Sequence, residues 1–437
     1  MIGVRDRRAL TATGISKGFE RSLSDEVHNV LKATGRISRK AGCRAYLVGG
    51  IVRDIAVGYP NTDLDIMIEG DAEKVARELA RRIAGRFKKP TEFGTCKVET
   101  EHLGTIDFAV ARTETYGRPG ALPEVSASDI ARDLWRRDFT INALAISLDP
   151  ESYGDLVDPC GGIADLRRGR LRVMHDASFG DDPTRILRGV RFAVRYGYMF
   201  EARTLGLLRA CVARGCLKTV SGKRVARELL LICGEPKARE GLLMLQALGV
   251  LKALGLARRD ARRRLALWRG ITRATDVLRK AGGTTSDEAP VWFASLLAGG
   301  GADAARKAAS FSLPRDLRDA SAWAATKLAR AERRLAGIDG RQAYRATRLL
   351  DSVPPAGLAL IYAASAPPAR RLIVNYLSDW RHVKPRVTGG EIAAMGPGPG
   401  PHVGRLLDRV LRLRLDGRLP TRRAEIEYVK RAVARLR

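Results

Sequence analysis

The sequence predicts an α+β chain, with a module of mixed strands and helices up to about residue 165 and an all-helical remainder after it. Three observations carry this. Through the first third, short stretches alternating polar and apolar residues, such as Asp63–Ile68, interleave with stretches whose apolar residues recur every three or four positions. After Phe179 the strand signal almost vanishes, and amphipathic segments rich in Ala, Leu and Arg run to the end, with Gly-rich breaks near 282–285, 299–301 and 396–401. The charge divides at the same place. Residues 1–165 hold 24 basic and 25 acidic side chains, whereas residues 166–437 hold 54 and 23, so the second part alone carries +31 of a total of +30.

Taken in order, residues 1–24 are polar, with Gly and Ser, and read as a loose lead-in. Asp25–Ala41 has a helical apolar face through Val27, Val30 and Leu31. Tyr46–Val48 reads as a strand running into Gly49-Gly50, and Asp63–Ile68 as a second strand. Asp71–Ile83 returns to helix, with Val75, Leu79 and Ile83 four residues apart. Further strands are expected at Cys96–Glu99, Ile106–Ala111 and Ala143–Ser147.

Composition excludes several classes. No stretch of about 18 apolar residues exists to span a membrane, and residues 1–20 lack the apolar core of a secretory signal. Six cysteines without a C-x-x-C pair argue against a zinc site or disulfide framework and for free thiols in the cytoplasm. The positive excess suggests a polyanionic partner for the helical part, because an Arg-rich genome alone would not spare the N-terminal third.

The chemistry concentrates in three constellations. In the first, Gly49-Gly50-Ile51-Val52-Arg53-Asp54 is followed by Asp63-Leu64-Asp65. Two glycines after a strand let the backbone approach a phosphate, a helix N-terminus then offers N–H groups, and Arg53 adds a charged donor. Residues two apart on a strand share a face, so Asp63 and Asp65 form the paired hard-oxygen ligands that Mg²⁺ needs against triphosphate oxygens. Asp107, flanked by Ile106 and Phe108 in a candidate strand, either completes a three-carboxylate site, helping to deprotonate an attacking hydroxyl, or caps a neighbouring turn. The second constellation is Arg136-Arg137-Asp138-Phe139-Thr140-Ile141-Asn142, which suits either an ion-pair network or phosphate and sugar donors. The third opens a helix at Asp181-Asp182-Pro183-Thr184-Arg185, with Arg185, Arg188, Arg191 and Arg195 opposite an arc of Ile186, Leu187, Val190, Ala193 and Val194. Asp182 can accept from the amino group of cytosine or adenine while Arg185 donates to the ring nitrogen. Uracil and guanine present the reverse order. The bland reading is an acidic N-cap on a basic helix, with Pro at its first position.

With these three motifs in order over Tyr46–Tyr198, the chain resembles the class II tRNA nucleotidyltransferases, which include the CCA-adding, CC-adding and A-adding enzymes and bacterial poly(A) polymerase. The segments Val387-Thr388-Gly389-Gly390 and Leu415-Asp416-Gly417 resemble the C-terminal region of many bacterial members. The resemblance implies a polymerase-β-like nucleotidyltransferase head with a mixed sheet at 25–165. A helical neck at 166–235, body at 236–350 and tRNA-binding tail at 351–437 would follow. It implies Asp63 and Asp65 as Mg²⁺ ligands, catalytic together with Asp107. Nucleotide binding would fall to Gly49, Gly50, Arg53, Arg137, Asp138, Asn142, Asp182, Arg185, Arg188 and Arg191. The expected activity is addition of CCA, or part of it down to the final A, to tRNA from CTP and ATP. The alternatives are a poly(A) polymerase acting on diverse RNAs and a catalytically silent RNA-binding protein. Asp181 stands where the family usually has Glu, and residues 113–123 fit the family's flexible loop. The wording of that loop, and Glu69-Gly70-Asp71, resemble the subgroup containing A-adding enzymes.

Overall fold

The computed structural model describes residues 11–89, 94–115, 124–256, 260–283, 287–396 and 398–435. The chain divides into two compact units, one of residues 1–220 and 247–253, the other of 221–246 and 254–437.

The first unit opens with a helix where the sequence suggests a loose lead-in. α1 (Ala12–Ser22) is capped by Thr11, whose hydroxyl accepts from the Gly14 N–H at 3.0 Å. Two apolar side chains four residues apart, Ile15 and Phe19, are fully buried, and Ser16 donates to the Gly154 carbonyl at 2.8 Å. A single buried turn set among Gly and Ser is too short a periodic signal to stand out. α2 (Asp25–Lys40) starts at Ser24, which caps Val27. β1 (Arg44–Val48) then enters α3 (Gly50–Val57) through Gly49, whose φ of +86° is one that glycine adopts without strain.

β2 (Leu64–Glu69) and α4 (Ala72–Arg82) follow, then β3 (Arg86–Lys88), β4 (Cys96–Glu99) and β5 (Thr105–Val110). β6 (Arg112–Thr115) and β7 (Glu124–Ala127) form a separate antiparallel pair. The segment expected as a flexible loop thus begins as strand, and its residues 116–123 lie outside the described residues. α5 (Ile130–Trp135) precedes β8 (Ala145–Ser147) and β9 (Leu156–Val157). The mixed seven-stranded sheet has the order β3-β4-β5-β2-β1-β8-β9, with β2 and β5 parallel and its other pairs antiparallel. That parallel register sets Asp65 opposite Asp107.

α6 (Gly162–Arg168), the single-turn α7 (Ser178–Asp181) and α8 (Thr184–Tyr196) complete the part that builds the site. Residues 166–235, expected to be all helical, are not wholly so, because Arg170–Leu171 pair in parallel with Met199–Phe200. Two-residue strands carry no readable period.

In the second unit all regular structure among the described residues is helical. Its buried side chains include Trp268, whose indole N–H donates to Ser295 at 2.8 Å, and Phe293 and Phe311, whose rings pack edge to face 5.9 Å apart. Near the C-terminus Val387, Ile392, Leu406, Val410, Leu419, Val429 and Val433 form a core of their own. Glu425, fully buried there, accepts from the Arg386 and Val387 N–H groups and from Arg414. The six cysteines are free thiols, and among the described residues no helix is long and apolar enough to cross a membrane.

Candidate active site

A cleft of about 720 Å³ in the first unit is lined by Gly49, Gly50, Arg53, Asp63, Asp65, Arg137, Asp138, Asn142, Asp182, Arg185, Arg188 and Arg191. Every nucleotide-binding and metal-binding position expected from the sequence therefore meets in one cavity. Asp107 is the exception. It lies beside Asp65 across the β2–β5 register but does not line the cleft, and Lys97 stands 2.7 Å from its Oδ1.

Asp63 is exposed just before β2, and Asp65 is the second residue of that strand. Burial pushes the Asp65 carboxyl up to about 6, aided by the charges of Asp107 and Asp63 and opposed by Arg137 and Lys97. Like charges crowded into a half-buried site are relieved by a hard cation, so the donor set fits Mg²⁺ held by Asp63 and Asp65 with the remaining positions left to substrate oxygens. Among the described residues no three His, Cys, Asp or Glu side chains converge into an all-protein metal site. The bend at Gly49 serves this pair directly. A Cβ there would lie 2.9 Å from Asp65 Oδ2.

The arginines are more tightly committed than the sequence suggests. Arg53 is buried at 5% exposure, grips Asp54 through two hydrogen bonds of 2.9 and 3.0 Å, donates to the Asn142 side-chain oxygen, and stacks on Tyr196 with its guanidinium 4.7 Å from the ring centre. The Asn142 amide donates to Asp138 at 2.8 Å, and the other Asp138 oxygen accepts from Arg188 at 2.7 Å. Burial alone would raise the Asp138 carboxyl, but Arg188, Asn142 and Arg185 overcome it and hold the group at about 2. Asp54, Arg53, Asn142, Asp138 and Arg188 thus form one continuous chain from α3 to α8. The ion-pair reading of the second motif describes Arg136 and Arg137 well, since fully buried Asp133 takes Arg136 at 2.6 Å and Arg137 at 3.1 Å.

At the start of α8, Asp182 Oδ1 accepts from the Thr184 N–H at 3.0 Å and its hydroxyl at 2.6 Å. Pro183 occupies the cap position and Thr184 the first helical one, so the expected order is shifted by one. Arg185, 5% exposed, donates to the Ser178 hydroxyl at 2.6 Å and to the Arg136 carbonyl at 2.8 Å, which fixes its guanidinium in the cleft wall. Asp181 does not line the cleft, and its carboxylate lies 3.8 Å from His175.

Asp54, Asn61, Glu114, Arg136, Phe192 and Arg195 also line the cavity and were not expected there. Asp54 and Arg136 are inside quoted motifs. For Asn61 and Glu114, separate from those motifs, only the fold supplies the signal.

Residues 45–172 match the family model described as the poly A polymerase head domain. The chain is 31% identical to an A-adding tRNA nucleotidyltransferase of Geobacter sulfurreducens over 430 residues, which are 92% of this chain and 46% of that one. It is 30% identical to a CC-adding tRNA nucleotidyltransferase of Deinococcus radiodurans over 384 residues, 87% of this chain and 88% of the relative. The chain spans about half the length of the A-adding relatives from Geobacter sulfurreducens and Halalkalibacterium halodurans. Among solved structures, a Thermotoga maritima CCA-adding enzyme complexed with tRNA matches with a TM-score of 0.81 at 27% identity, over 96% of this chain and 98% of that one. With the three motifs gathered in one cleft of a mixed-sheet head, and a relative matched over most of both chains, the protein belongs to the class II tRNA nucleotidyltransferase family.

Proposed function

We propose that this chain extends tRNA 3′ ends without a nucleic-acid template, adding CCA or part of it from CTP and ATP. The observation that carries the reading is that one cleft holds both a carboxylate pair suited to a cation and, where the chain enters α8, the Asp182 and Arg185 pair suited to a base edge. The name of the Thermotoga relative, complexed with tRNA, supports the substrate class. So does the +31 carried by residues 166–437, which suits an RNA backbone recognised by shape and phosphate contacts.

Gly49 and Gly50 bring backbone N–H groups at the start of α3 to the triphosphate. Arg188 and Arg191 line the same wall, and Arg53, locked by Asp54 and Asn142, contributes positive charge with little reorganisation. Mg²⁺ on Asp63 and Asp65 supplies charge neutralisation at the phosphates when bound. Asp182 accepts from the amino group of the incoming base, and Arg185, held by Ser178 and the Arg136 carbonyl, donates to the ring nitrogen. Asp107, ion-paired with Lys97 through Oδ1, is the carboxylate that would receive the proton of the attacking 3′-hydroxyl. The free thiols support a reducing cytoplasm as the working compartment.

The poly(A) polymerase reading shares the same groups, so the substrate separates the two. Offered ATP and CTP with tRNA ending in the discriminator base, in C or in CC, the protein should extend at least one tRNA and leave generic oligo(A) unextended. Efficient extension of oligo(A) with no preference for tRNA would replace this reading with the polymerase one.

A further inference from the structure

Buried Asp54, 1% exposed, is the meeting point of two elements besides Arg53. From α8, the Tyr196 hydroxyl donates to Asp54 Oδ1 at 2.8 Å. From the loop before β2, the Asn61 amide donates to Asp54 Oδ2, also at 2.8 Å. The side-chain oxygen of the same Asn61 accepts the backbone N–H of Asp63 at 2.8 Å, a local turn that fixes where the Asp63 carboxylate begins. Three successive hydrogen bonds therefore tie α8, the helix bearing Arg185, to the backbone of Asp63. The space is tight, since a Cβ on Gly50 would lie 3.4 Å from the Asn61 nitrogen and 3.2 Å from Arg53.

We propose that Asn61 and Tyr196, acting through Asp54, are positioning residues that set the Asp63 carboxylate for its divalent cation. The proposal rests on the cation site assigned above to Asp63 and Asp65. Asn61 is the only side chain in this relay that bonds to the loop of Asp63 and to the buried hub at once. Tyr196 is far from the loop in sequence, and its hydroxyl reaches that loop through Asp54.

The test measures binding of Mn²⁺ alone to the full chain by electron paramagnetic resonance, with tRNA extension and thermal melting on the same samples. Asn61→Ala should weaken Mn²⁺ binding about fivefold or more, roughly the effect of one lost hydrogen bond. Tyr196→Phe, which removes one hydroxyl and keeps the ring, should weaken it by a smaller factor in the same direction. Both should lower kcat at limiting cation and recover it at saturating cation, leaving the preference among nucleoside triphosphates unchanged. Mn²⁺ affinity equal to wild type in both variants would overturn the assignment, as would a fall in kcat that no cation concentration restores. If Asn61→Ala does not fold, Tyr196→Phe decides alone. Because Mn²⁺ binding is read without RNA, a wild type that binds the cation but extends no tRNA would sink the substrate reading and leave this one standing.

Discussion

Asp63→Ala and Asp65→Ala should each lower nucleotide addition at least ~10³-fold, the scale expected when metal-assisted phosphoryl transfer loses a ligand to its cation. The two acids stand at the mouth of β2 and inside it, on one wall of the cleft, and the described residues lining that cleft include no His or Cys. Neither forms the apolar core. Asp65 in fact sits uneasily at neutral pH, because burial and the nearby charges of Asp107 and Asp63 oppose its ionised form. In EDTA, Asp65→Asn should therefore melt at or above the wild-type temperature while single-turnover extension is lost. Near wild-type rates in either alanine variant would remove the cation from the reaction.

Asp138→Asn should cost about 2 kcal/mol of stability near neutral pH, since it removes the anion that Arg188 and Asn142 stabilise inside a network that is buried at Asp138, Asn142 and Arg53. The effect has a defined pH dependence. The folded-state carboxyl is held at about 2, below its ordinary value of 3.8, so its stabilising contribution is present above about pH 4 and lost as pH falls through about 2. That contribution is of the order of 2 kcal/mol. Urea unfolding at pH 7 and pH 3 should show the gap between wild type and variant narrowing at the lower pH. A gap that is constant, or wider at pH 3, would mean that Asp138 is not stabilised as the anion.

The parts of the site legible in the sequence are those encoded over short spans. The Gly49-Gly50 bend, the alternation of Asp63 and Asp65, and the arginine stripe of α8 each follow from one local period. What the motifs concealed is partnership across the chain. Tyr196 meets Asp54 across 142 positions and Arg53 meets Asn142 across 89, distances at which no periodicity speaks. Arg53 and Arg188 therefore read as plain substrate donors, whereas the fold ties each to a buried carboxylate, so they act first as rigid parts of the wall. Asp107 reads in the sequence as either a third carboxylate or a turn cap, and its register beside Asp65 fits the first, but the charge of Lys97 on β4 comes to it only through the β4–β5 pairing. The same limit hid α1 and the β6–β7 pair, both too short to outweigh the polar residues around them.

In the proposed reaction protein side chains choose the base. Misincorporation of UTP and GTP, measured together with melting temperature on Asp182→Ala beside wild type with whichever tRNA end the wild type extends, decides whether they do. The active variant should lose ~1–3 kcal/mol of discrimination against UTP and GTP while retaining triphosphate affinity. Wild-type selectivity in an active variant, with only a lower melting temperature, would contradict it. Asp182 would then be what its bonds to Thr184 already make it, a support for the start of α8.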